Sequence, residues 1–156
     1  MLPIVSLIFA WVNGVSSPAF AVESEEHSAG EWGTPMLNHG RKWATDDLLR
    51  KKMVEVRETV TSRFNVIDKG QMTLDDYKAM GATIEHQVVG IVAQCKLPAS
   101  ADATFHFVIA DLLAGAATLQ GRTKNEPRQG TRMVIAALNR YGDYFDQPGW
   151  TEIGGT

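Results

Sequence analysis

Six residues carry the side chains from which this sequence could build a site: Cys95, His106, His39, Trp43, Tyr141 and Trp150. Cys95 is the only cysteine, and there are four histidines. Thiolate and imidazole suit Cu(I) and Zn(II), so Cys95, His106 and His39 are the candidate metal ligands, with Met36 a further donor close to His39. Trp43, Tyr141 and Trp150 would wall a pocket for a small ligand. A plainer reading competes with this one. A cysteine on an apolar helix seam usually packs as a small hydrophobe, and aromatic rings at the end of a bundle usually just close it. No Cys-x-x-Cys, His-x-x-x-His or Glu-x-x-His spacing occurs. Of the other histidines, His86 falls off the apolar seam and should be solvated, and His27 lies in an acidic tail. Met53, Met80 and Met133 lie on or near apolar stripes, where thioethers fill gaps.

Only a particular fold brings these residues together. From Thr73 to Leu119 the sequence predicts two long helices folded back on each other at Leu97-Pro98-Ala99-Ser100. Tyr77, Gly81, Ile84, Val88, Ile91 and Cys95 alternate steps of four and three, the seam that a helix buries. Thr73 and Asp76 have capping-box spacing, and Pro98 stops the first helix. Ser100 is the expected cap of the second. That helix carries Phe105, Ile109, Leu112, Ala116 and Leu119 on its buried stripe and ends before Gly121. Helix counting from the turn, with side chains leaning toward the N-terminus, brings the tips of Cys95 and His106 toward one level. The flanking links add His39, Trp43, Tyr141 and Trp150 at the same end.

Two further helices complete the domain. Thr45 is the expected cap of the first, which has Leu49, Met53, Val56, Val60 and Phe64 as its stripe. The last starts near Pro127, where the missing N–H costs nothing, and carries Val134, Leu138, Tyr141 and Phe145. Four helices of about 18–24 residues with short links predict an all-α, antiparallel up-down-up-down four-helix bundle over 45–146. No alternating run suggests a sheet. Residues 147–156 read as a C-terminal tail from which Trp150 could fold back. Residues 22–44 read as a flexible tail and a lead-in packed across one end.

Residues 1–21 read as a signal peptide. Leu2 to Val12 is mostly apolar but short of the roughly 20 residues that span a bilayer, and Ala19-Phe20-Ala21 is a small-x-small cleavage pattern. A retained anchor is the rival reading, since no Lys or Arg precedes the apolar run. The expected location is therefore the periplasm, with no stable membrane insertion after cleavage. A net charge of −3 argues against a nucleic-acid partner, which rewards a basic face. One exported free thiol also allows a cross-linked homodimer.

In length, export pattern and helix order the domain from Thr45 to Phe145 resembles the periplasmic four-helix cytochromes of the b and c′ types. The resemblance implies haem, but Cys-x-x-Cys-His is missing and the last helix has no histidine. Met53 and His106 are the remaining candidates for a non-covalent haem electron carrier, at heights that do not match. A looser similarity links Gly40-Arg41-Lys42-Trp43 and Phe145-Asp146-Gln147-Pro148-Gly149-Trp150 to small uncharacterised exported proteins of proteobacteria, which bears on fold and location. No Gly-x-Ser-x-Gly elbow, phosphate loop or carboxylate pair in a cleft is present, and no enzymatic activity is expected. The expected function is binding of copper, zinc or a small ligand. The alternative is an interaction or chaperone-like helical protein without a small-molecule site.

Overall fold

A computed structural model describes residues 34–154, so the signal-peptide reading of 1–21 and the acidic tail of 22–33 lie outside the described residues. The elements in order are β1 (Trp43–Ala44), α1 (Asp47–Thr61), α2 (Phe64–Asp68), α3 (Leu74–Gln94), α4 (Ala99–Leu119), α5 (Pro127–Tyr144) and β2 (Phe145–Asp146). The molecule is thus mainly helical, with four long helices and one single-turn helix. α4 packs against both α3 and α5, and α1 packs against α3 and less extensively against α5.

The apolar stripes form the core. Leu49, Met53, Val56 and Val60 of α1, Ile84 and Ile91 of α3, Leu112 and Leu119 of α4, and Val134 and Leu138 of α5 are fully buried. Burying each such side chain contributes about 1.5–3 kcal/mol. α4 buries more than its predicted stripe, adding Ala101, Thr104, Val108, Gly115 and Thr118, because it touches a helix on either side. Glycines set the spacing of these contacts. A Cβ on Gly81 would come 2.7 Å from the Ala116 carbonyl oxygen, and one on Gly130 would come 2.7 Å from the Leu119 nitrogen.

Several local expectations are corrected. The cap of α1 is Asp46, whose Oδ1 accepts from the Leu49 N–H at 2.7 Å. Thr45 instead donates its hydroxyl to the Asp146 carbonyl at 2.6 Å. At 15 residues α1 is shorter than predicted, and Phe64 belongs to the separate turn α2. Pro98, not Ser100, precedes α4, and no side chain caps that end. The capping box at Thr73 forms as predicted, with Asp76 bonded to both the Thr73 N–H and its hydroxyl.

A sheet does exist, although it is minimal. β1 and β2 pair in parallel, Trp43 beside Phe145 and Ala44 beside Asp146. Two residues per strand are too few for an alternating pattern to show. Nor does the C-terminal segment hang free: Ile153 is buried, and its backbone N–H and carbonyl both bond the Asn139 side chain, at 2.8 and 3.0 Å. Arg57 donates to the Thr151 carbonyl at 2.7 Å.

Candidate functional site

The end of the domain where β1 and β2 meet holds an aromatic cluster. Tyr141 and Phe145 stack with centroids 5.2 Å apart, and Phe105 stands edge-on to Phe145 at 5.4 Å. Trp150 folds back against Tyr141 at 5.0 Å, over the bare backbone of Gly142, and the Arg57 guanidinium caps its outer face at 4.9 Å. The lid expected from Trp150 is therefore formed. Trp43, paired with Phe145 across the two strands, is half-buried against the core and donates its indole N–H to the Met36 carbonyl at 2.7 Å.

A chain of polar groups runs beneath these rings. The Tyr141 hydroxyl donates to Gln147 Oε1 at 2.8 Å, the Gln147 amide reaches the Arg50 carbonyl at 3.4 Å, and Arg50 Nε donates to Thr45 Oγ1 at 2.7 Å. Burial pushes the Tyr141 hydroxyl well above the usual phenol range, so it remains a hydrogen-bond donor and takes no part in acid–base chemistry near neutrality. Nothing in the sequence shows that Gln147, Arg50 and Thr45 are bonded together. Their contacts join positions about a hundred residues apart, and only the pairing of β1 with β2 reveals them.

Cys95 lies at the edge of this cluster. It follows the last residue of α3, is half-buried, and feels the charges of Asp46 and Lys52. Burial raises its thiol pKa, the Asp46 carboxylate raises it further, and Lys52 offsets part of the shift. A neutral thiol is a poor ligand and a poor nucleophile. In the predicted seam it would have been a core residue; instead it closes the helix, because the chain turns extended there toward Pro98.

His106 occupies another environment. It lies on the exposed side of α4, its Nδ1 2.8 Å from the Asp102 carbonyl oxygen and 3.4 Å from Asp102 Oδ2. Its neighbours on the helix surface are Phe107, Ile109, Ala110 and Leu113. The buried side of α4 is taken by Phe105 and Val108, each one position or two away, so a rotation of about 100° per residue carries His106 outward. His39 sits at the tip of a tight turn in which Asn38 and Arg41 exchange backbone hydrogen bonds at 2.8 and 3.0 Å. With φ of 51° at His39 and 79° at Gly40, both central residues are left-handed, as a two-residue hairpin requires. The structure thus brings Tyr141, Trp150 and Phe145 together with Cys95 at their margin. His39 and His106 are both exposed. Among the described residues no three His, Cys, Asp or Glu side chains are grouped to hold a metal ion.

No family model matches the chain, and no curated protein or solved structure resembles it.

Proposed function

We propose that this chain is an exported, periplasmic helical protein that acts through contact with other protein surfaces, without catalysis and without a bound metal or haem. The helices α1, α3, α4 and α5 would run up-down-up-down; the packing order α1–α3–α4–α5–α1 and the short α3–α4 link support that arrangement. Export is supported by the apolar run from Leu2 to Val12 and by Ala19-Phe20-Ala21.

The observation that carries the reading is a stretch of surface poor in charge. Between Ala79 and Leu119 the only formal charges are Glu85, Lys96, Asp102 and Asp111, whereas α1 alone has seven in fifteen residues. Val89 and Val92 of α3 are exposed by 58 and 60%. Exposed apolar faces depleted of charge mark sites of protein contact. The aromatic end, by contrast, is packed by its own rings, with the buried Trp150 indole N–H left without a hydrogen-bond partner.

Elemental analysis and a visible spectrum of protein purified from the periplasm test this reading. The expected result is copper, zinc and haem each far below one per chain, and no uptake on titration. Stoichiometric copper or zinc lost on replacing Cys95 or His106, or a haem absorption band, would overturn it in favour of the ligand-binding function.

A further inference from the structure

We propose that the groove between α1 and the turn after β2 binds a short extended peptide with free ends, about three residues long, its carboxylate at Lys51 and its ammonium at Glu58. The surface-contact reading concerns α3 and α4; this inference goes beyond it and does not depend on it.

The groove has two walls. One is the turn Gln147-Pro148-Gly149-Trp150, closed by the Trp150 N–H on the Gln147 carbonyl at 3.1 Å. Pro148 takes the second place and Gly149, with φ of 75°, the third, as a type II turn requires. Its ends are anchored. The Gln147 side chain bonds the Tyr141 hydroxyl and the Arg50 carbonyl, and Trp150 sits between Tyr141 and the Arg57 guanidinium. The other wall is α1, where Lys51, Val54 and Glu58 follow steps of three and four and so share one side of the helix. Between the walls lies a cavity of about 470 Å³, lined by these three residues with Gln147 and Pro148. A second of about 240 Å³ shares Val54, Glu58, Gln147 and Pro148 and continues to Trp150.

The charges of the groove define what it would hold. Four charged side chains line the larger cavity, and two of them are already engaged. Arg50 donates to Thr45 and lies 3.5 Å from Asp47, and Glu55 lies 3.3 Å from Lys52. The side chains of Lys51 and Glu58 have no hydrogen-bond or ion-pair partner among the described residues. Seven residues of helix set them about 10 Å apart, with Val54, 36% exposed, in the middle. A ligand that satisfies both must carry a negative and a positive group at about that separation, with an apolar centre. An extended chain covers about 3.3–3.6 Å per residue, so the two ends of a tripeptide span the gap and its central side chain falls on Val54. A free amino acid is too short. A wholly anionic ligand meets Glu58, and a wholly cationic one meets Lys51.

The turn supplies groups for the ligand's backbone. Among the described residues the Pro148 carbonyl and the Gly149 N–H make no backbone hydrogen bond, and the space beside Gly149 is open to 4 Å. One acceptor and one donor therefore stand on the wall facing α1, and pairing with an extended peptide backbone is a recurrent mode of peptide recognition.

The test uses protein purified from cells expressing residues 1–156, labelled with nitrogen-15 and titrated with Ala-Val-Ala at millimolar concentrations. Amide resonances of Val54 and Gly149 should shift and saturate. The same peptide acetylated and amidated at its ends, and free valine, should give no saturable shift. Lys51→Met and Glu58→Gln should each weaken binding about fivefold, and Lys124→Met, outside the groove, should leave it unchanged. The absence of a saturable shift with the free tripeptide overturns the proposal. So does equal binding of the blocked peptide, a comparison that needs only the unaltered protein. Loss of affinity in Lys51→Met with full affinity in Glu58→Gln also overturns it, since the site would then recognise a carboxylate alone.

Discussion

Trp150 lies edge-on to Tyr141, ring centroids 5.0 Å apart at 71°, and it can do so only because residue 142 has no side chain. A Cβ on Gly142 would fall 2.6 Å from Trp150 Cδ1 and 2.8 Å from its Nε1. Gly142→Ala gains up to about 1 kcal/mol of helix propensity, but a rigid indole must lift off its seat, an overpacking cost of about 1–3 kcal/mol. The expected net effect is a loss of stability and a change in the near-ultraviolet circular dichroism of the tryptophans. Trp150→Ala, which removes the ring, should cost about 3 kcal/mol and make Gly142→Ala harmless in the double variant. Urea unfolding of all three variants checks the coupling.

The same contrast separates two other helical glycines. Gly130 faces backbone: its Cβ would meet the Leu119 nitrogen at 2.7 Å and the Gly115 carbonyl at 2.8 Å. α4 and α5 would have to part, so Gly130→Ala should lose roughly 2 kcal/mol or more. Around Gly90 nothing lies within 4 Å of the added atom. Gly90→Ala should therefore raise stability by about 0.5–1 kcal/mol through propensity alone. Denaturant midpoints that move in the same direction would contradict the packing described.

The start of α3 gives a pH prediction. The Thr73 hydroxyl, then its backbone N–H, hold the Asp76 carboxyl below the usual carboxylate range. A depressed folded pKa contributes stability that is fully present above the unfolded value and is lost as pH falls through the folded one. Thr73→Ala should destabilise the protein at neutral pH, and the gap from the unaltered protein should narrow, without closing, as pH falls through the lowered Asp76 value, because the Thr73 hydroxyl still accepts from the Asp76 N–H when the carboxyl is protonated. A constant gap across the acid range would place the effect elsewhere.

These local devices were legible in the sequence because each is written within four residues: the Thr73–Asp76 box, the apolar steps of each helix, the glycine after α4. The aromatic lid at Trp150 was legible for a related reason, since Pro148-Gly149 can only turn the chain. The proposed metal set was not assembled by the fold, and the reason is angular. Counting along helices fixes height, but His106 is one residue from the buried Phe105, and one residue is about 100° of rotation. Height alone could not show that His106 lies on the exposed side of α4. The partnership of Thr45, Arg50 and Gln147 was hidden because it depends on the β1–β2 pairing, for which two residues per strand leave no pattern.

Cys95 tests that account most directly. The thiol is half-buried, and burial raises its pKa, with Asp46 adding to the shift and Lys52 opposing it. Its reaction with a small disulfide reagent should be slower than that of an unfolded thiol at pH 7–8, and its rate should keep rising with pH beyond about 8.5, the ordinary cysteine value. Asp46→Asn keeps a competent helix cap while removing the nearby negative charge, so the rate profile should move to lower pH. Lys52→Met should move it to higher pH. The same shift has a sign for stability. A raised folded pKa contributes stability that is present below the unfolded value and is lost as pH rises through the folded one, so the Cys95→Ser variant should lose less stability than the unaltered protein as pH rises above about 8.5, the ordinary thiol value. A metal-ligating or nucleophilic Cys95 requires the reverse, a thiolate favoured near neutrality. A rate midpoint below that of a free thiol would therefore return Cys95 to the list of reactive groups.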